Sequence, residues 1–110
     1  MHELSIAESV VDAITQRTAR RRVWQVRLEV GRLSGVSAES LRFCFELAAV
    51  GTGVDGALLD IDEPAGRARC AACERTFAID DLIMMCPCGS CDVQVVSGDE
   101  LRIVSVEVSR

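Results

Sequence analysis

The chain has 110 residues, 49% of them apolar and 26% charged. That is the size and composition of one globular domain, which excludes a large multidomain enzyme and leaves room only for a small or inserted second unit. A net charge of −5 argues against tracking a phosphate backbone, because sequence-independent nucleic-acid binding rests on clustered cations, and the one basic cluster is Arg17, Arg20, Arg21 and Arg22. No stretch approaches the roughly 18 uninterrupted apolar residues of a membrane span, so neither nucleic acid nor membrane is an expected partner. The opening Met1-His2-Glu3-Leu4-Ser5 carries an early acid and no basic segment leading into an apolar run. It is read as lacking a secretory signal, with a reducing, cytoplasmic location expected.

Leu4, Ala7, Val11 and Ile14 recur at helical spacing, with Glu8, Asp12 and Arg17 elsewhere on the surface, the pattern of an amphipathic helix. Ser5 followed by Glu8 fits a capping box and sets the regular start near Ser5, with the preceding residues able to add a turn. The Arg cluster at the far end suits the negative pole of the helix dipole. Val26, Leu28 and Val30 then alternate with Arg27 and Glu29 as in a half-buried strand, ended by Gly31. A second helix follows, with Ser37 as N-cap and Glu39 in the first turn. Leu41, Cys44, Phe45 and Ala48 lie on one of its faces, and Gly51 and Gly53 stop it. Ala57 to Ile61 reads as a second strand and Leu101 to Val108 as a third, rich in β-branched residues. Three strands and two helices make one α+β layer pair. The lone Cys44 is read as a small buried hydrophobe.

Between the second and third strands, from about Pro64 to Ser97, the character changes. Five of the six Cys fall here, and bulky apolar residues are few, among them Phe77, Leu82 and Ile83. So short a segment cannot close a core alone, and in a reducing compartment clustered Cys point to a metal rather than to disulfides. Cys70-Ala-Ala-Cys73 and Cys86-Pro-Cys88-Gly-Ser-Cys91 offer two thiol-bearing turns that can face each other across a tetrahedral four-thiolate site. Zinc suits such a set, and a closed four-ligand site serves structure. Backbone N–H groups are expected beside the sulfurs to offset the charge of four thiolates on a dication. The second turn holds three Cys where two suffice. Spacing favours Cys88 and Cys91, whose two-residue loop is that of an ordinary knuckle, over Cys86 and Cys88, separated by Pro87 alone.

The only His is His2. The Met1 α-amine, the His2 backbone nitrogen and its imidazole Nδ1 can close adjacent chelate rings around one metal, and strong nitrogen donation of this kind suits Ni(II) or Cu(II). Glu3 can add its amide or carboxylate. A frayed, functionless terminus is the bland alternative.

These pieces together resemble a family. Met1 to Ala7 opening a helix, Leu28-Glu29-Val30-Gly31 with Leu33-Ser34-Gly35-Val36, Leu41 to Glu46, Gly51-Thr52, the paired Cys, and Ser97-Gly98-Asp99-Glu100-Leu101 are similar to the hydrogenase maturation proteins of the HypA/HybF family. The resemblance covers essentially the whole chain. It implies a nickel metallochaperone whose α+β domain, residues 1–63 and 98–110, holds Ni(II) as cargo with His2 as principal ligand and Glu3 beside it. The inserted zinc-ribbon-like domain, residues 64–97, would hold structural Zn(II). The family usually shows Cys-Pro-x-Cys-Gly-Ser, which Cys86-Pro87-Cys88-Gly89-Ser90 matches with one residue missing. The resemblance therefore implies zinc on Cys70, Cys73, Cys86 and Cys88, against the spacing argument for Cys91. It also implies a HypB-type GTPase as partner and delivery to the large subunit of a nickel-iron hydrogenase. Some relatives serve urease, which adds urease maturation proteins to the expected partners. The competing reading is a zinc-ribbon module that binds nucleic acid or protein, against which stand the acidic balance and the lack of stacking aromatics. A closed four-Cys site has no open position for catalysis, so no enzymatic activity is expected.

Overall fold

The computed structural model describes residues 2–79 and 83–109. Met1 and Leu82, both invoked above, lie outside the described residues.

Helix α1 (Glu3–Arg17) buries Ala7, Val11 and Ile14, the inward set its periodicity selects, while Leu4 in the first turn stays 45% exposed. The helix begins before Ser5. His2 is the N-cap, without a side-chain cap bond, and its carbonyl accepts the Ile6 N–H at 2.9 Å. An acid in the first turn, Glu3, favours this earlier start at the positive end of the helix dipole. Strand β1 (Val23–Val30) buries Val23, Val26, Leu28 and Val30. It starts ahead of the visible alternation because Val23 is registered with Val108 and donates its N–H to the Gly53 carbonyl at 2.8 Å.

Helix α2 (Ala38–Ala49) is capped as expected, the Ser37 hydroxyl accepting the Ser40 N–H at 3.2 Å. It buries Leu41, Phe45 and Ala49, while Cys44 is only half-buried at the rim of the core. Gly51 then takes φ +79°, a conformation that ends a helix at little cost only in glycine. The crossover through α2 lets strand β2 (Leu58–Asp62) pair parallel to β1. Strand β6 (Leu101–Val108) pairs antiparallel on the other side of β1, giving the order β2-β1-β6. The two helices pack together over one face and enclose the core of Ala7, Val11, Ile14, Val26, Leu28, Leu41 and Phe45. On the opposite face polar pairs cross the strands, Arg102 donating to Glu29 at 2.8 Å and Gln25 to Asp60 at 2.6 Å, beside an exposed Leu58.

The segment from 64 to 97 holds three strands that the sequence did not disclose. β3 (Gly66–Cys70), β4 (Thr76–Ile79) and β5 (Val93–Ser97) form an antiparallel sheet of order β4-β3-β5. The inward residues of β3 are Gly66, Ala68 and Cys70, alternating with exposed Arg67 and Arg69. The alternation is present, but its buried members are too small to show as a hydrophobic period.

The two sheets meet at a node of glycines. Gly31, Gly66 and Gly98 are all buried, and a Cβ on Gly98 would meet the Gly66 Cα and lie 2.7 Å from the Ala65 carbonyl oxygen. The loop after β1 is tied to both ends of the excursion. Arg32 N–H donates to Pro64 at 3.0 Å, Leu33 N–H to Gly98 at 2.7 Å, and Gly31 N–H to Glu100 at 2.7 Å.

Candidate metal centre

Cys70 ends β3 and Cys73 follows in the turn toward β4, a turn closed by Glu74 N–H donating to Cys70 C=O at 2.9 Å, with Glu74 at φ +60°. Cys86 and Cys88 sit in the loop ahead of β5. That loop turns on itself through Gly89 N–H to Cys86 C=O at 2.8 Å and Cys86 N–H to Ser90 C=O at 2.9 Å, with Gly89 at φ +97°. The result is a cluster in which the sulfurs of Cys70, Cys73, Cys86 and Cys88 all lie within 4.8 Å of one another. Cys70 and Cys86 are buried, while Cys73 and Cys88 open to the surface. Cys91 is exposed and outside this group.

The donor set can be tested against zinc. Four thiolates about 2.3 Å from one Zn(II) stand about 3.8 Å from each other; Cys70 and Cys88 sulfurs are 3.7 Å apart, and those of Cys73 and Cys86 are 3.6 Å apart. The residues therefore fit a tetrahedral thiolate site. Backbone support is present as well: the Cys88 N–H donates to the Cys86 sulfur at 3.4 Å. The Cys73 N–H, and after it that of Ala72, hold the Cys70 thiol below the usual cysteine range. At Cys86 the Cys88 N–H pulls downward too, but burial and the three neighbouring sulfurs outweigh it and push that thiol up. Without a cation, four sulfurs in one small volume cannot all be ionised, and protons take the place of the missing charge.

At the other end, His2 is exposed at the head of α1. Glu3 is half-buried, and its carboxylate accepts the Ser37 N–H at 3.2 Å. Nothing local in the sequence signals this contact: Ser37 reads as a cap and Glu3 is expected beside nickel, but neither reading joins the starts of α1 and α2. The structure does not bring His2 or Glu3 into the cysteine cluster. Among the described residues no helix is long and apolar enough to cross a membrane.

Fold and site define a small α+β protein with a four-cysteine cluster able to hold a metal, carried on its own sheet. The model of the HypA family, described as hydrogenase/urease nickel incorporation metallochaperones, matches residues 1–108, and the chain belongs to that family. The hydrogenase maturation factor HypA of Chlorobium luteolum is 44% identical over 110 residues, covering 96% of this chain and 94% of that protein. Its counterpart in Azotobacter chroococcum is 46% identical over 112 residues, covering 98% and 99%. The solution structure of the Ni metallochaperone HypA from Helicobacter pylori superposes with a TM-score of 0.67 at 24% identity, over 98% of this chain and 97% of that one, a likeness of fold.

Proposed function

We propose that this chain carries Ni(II) on its amino terminus for insertion into a nickel-iron hydrogenase, while Zn(II) on Cys70, Cys73, Cys86 and Cys88 holds the segment 64–97 together as a unit distinct from 1–63 and 98–110. The observation that carries the reading is the closed geometry of the cysteine cluster in a member of a nickel-incorporation family. Four sulfurs at zinc-site spacing leave no position for exchangeable cargo, so nickel belongs elsewhere, and the sole His is exposed at residue 2. The first N–H groups of a helix have no intrahelical acceptor, which leaves the His2 backbone nitrogen outside the α1 ladder. With the Met1 amine and the imidazole it makes a small nitrogen set, and Glu3 stands next to it in the first turn. A chelate at a chain end can be approached by an acceptor's ligands and exchanged without opening a core. The protein acts as a carrier and not as an enzyme, works in the cytoplasm, and hands nickel on with a HypB-type GTPase to the hydrogenase large subunit.

Nickel titration of three proteins tests this: the untagged chain, an amino-terminally extended chain and His2→Ala. The extension turns the amine into a peptide nitrogen and His2→Ala removes the imidazole, so both lose tight binding. Binding in the untagged chain weakens on acidification, as protons compete for the same nitrogens. Equal nickel affinity in all three proteins overturns the assignment.

A further inference from the structure

Helix α2 carries large apolar side chains on the side turned away from the core. Phe43 is 63% exposed, Leu47 55% and Val50 67%. Phe43 and Leu47, four residues apart, share one helix face, and Val50, the C-cap just past the last turn, extends the apolar patch. Single exposed hydrophobics need no explanation, whereas a contiguous ridge marks a surface that something covers. The core does not need these side chains, since α2 meets it through Leu41, Phe45 and Ala49.

The charges beside the ridge say what kind of surface would cover it. Glu39 and Glu46 flank it on the side toward β2, where Arg42 stands as well but turns its guanidinium onto the Leu59 carbonyl at 2.6 Å. Both carboxylates are exposed, and among the described residues neither takes part in an ion pair. An apolar ridge edged by two carboxylates outside any ion pair is complementary to an amphipathic helix with an aliphatic stripe and Arg or Lys on its flank. A second copy of the chain fits badly, because two-fold pairing of α2 with itself would bring Glu39 and Glu46 of both copies into the same interface.

We propose that the outer face of α2, centred on Phe43, Leu47 and Val50, is a docking surface for a basic amphipathic helix of a partner protein. Its position gives the docking a purpose. Ser37, which caps α2, is bonded to Glu3 at the start of α1, and Phe43 lies about 9 Å further along the helix axis at 1.5 Å per residue. A helix seated on the ridge stands beside the amino terminus. That purpose rests on the nickel reading above; the docking itself does not.

The experiment uses the full zinc-loaded chain without nickel and two fluorescein-labelled 18-residue helical peptides. Both have the same leucine stripe, flanked by Arg and Lys in one and by Glu in the other. Fluorescence anisotropy is expected to show the basic peptide binding at least about tenfold more tightly, and amide shifts are expected to map it to residues 39–50. Phe43→Ser with Leu47→Ser weakens it by about tenfold or more at unchanged far-UV circular dichroism, and Val50→Ser alone provides the check should the double variant fail to fold. Glu39→Lys with Glu46→Lys reverses the preference toward the acidic peptide. Any of three results overturns the proposal: equal binding of the two peptides, basic-peptide binding that survives loss of the ridge, or a homodimer in sedimentation that Phe43→Ser with Leu47→Ser abolishes. Because nickel is absent, failure here leaves the metal-carrier reading to its own titration.

Discussion

Replacement of Gly98 by Ala probes the junction between the two sheets. Gly98 sits at φ +95°, where an L side chain is strained by about 1–2 kcal/mol. Its new Cβ would meet the Gly66 Cα and stand 2.7 Å from the Ala65 carbonyl oxygen and 2.8 Å from the Gly66 nitrogen. These are backbone atoms that cannot swing aside, so overpacking adds about 1–3 kcal/mol. The total is about 2–5 kcal/mol, and relief by moving the two segments apart would lengthen the 2.7 Å bond from Leu33 N–H to the Gly98 carbonyl. Gly35→Ala is the matched control. Gly35 is also left-handed, at φ +78°, but a Cβ there meets nothing within 4 Å, so only the backbone contribution of about 1–2 kcal/mol applies. Urea unfolding followed by the fluorescence of Trp24, the only Trp and placed on β1, together with far-UV circular dichroism, measures both variants. Gly98→Ala is expected to be the worse by about 1–3 kcal/mol. A difference under about 0.5 kcal/mol, the usual spread for an unremarkable surface change, would refute the reasoning.

Cys86→Ala is expected to lower zinc affinity and loosen amide protection across residues 66–97, while Cys91→Ala leaves both unchanged; zinc competition with a chromophoric chelator reads the affinity, and the reverse result moves the ligand to Cys91. Zinc uptake should release fewer protons at pH 7 than at pH 5. The Cys70 thiol is lowered by the Cys73 N–H to about 6, so it is largely ionised before metal arrives at the higher pH and protonated at the lower. Calorimetry in buffers of different ionisation enthalpy counts them, and a proton release that does not change between the two pH values contradicts this.

The main layer pair was readable from residue pattern alone because its buried positions are large: Val26, Leu28, Val30, Leu41 and Phe45 mark their own period. Ser37 capped where its chemistry said it would. The second sheet was hidden because β3 turns Gly66, Ala68 and Cys70 inward, and small residues leave little hydrophobic period to detect. The crowded second turn could not be resolved by spacing, which favoured Cys91. The geometry instead gathers Cys86 and Cys88 with Cys70 and Cys73, because the chain folds back through the Gly89 and Ser90 hydrogen bonds and carries Cys91 past the cluster. The joining of Glu3 to Ser37 had no local signature, since it depends on how two helices far apart in the chain are laid side by side.

Strand β6 reaches its place against β1 only after the chain has travelled from Val30 to Leu101. Within that excursion Arg67 is registered with Ser97 across β3 and β5, so once the smaller sheet has formed, about 30 residues of the path are bypassed. By the logarithmic dependence of closure entropy on length, that shortcut is worth only about 0.5 kcal/mol. The gain in order of assembly is larger than the gain in free energy. A formed excursion delivers Gly98 to the end of β1 already in line, and the last strand then zips up next to its partner instead of searching for it. Synthesis places β6 last as well, so the helix-bearing half of the molecule waits for the cysteine-bearing half before its sheet can close.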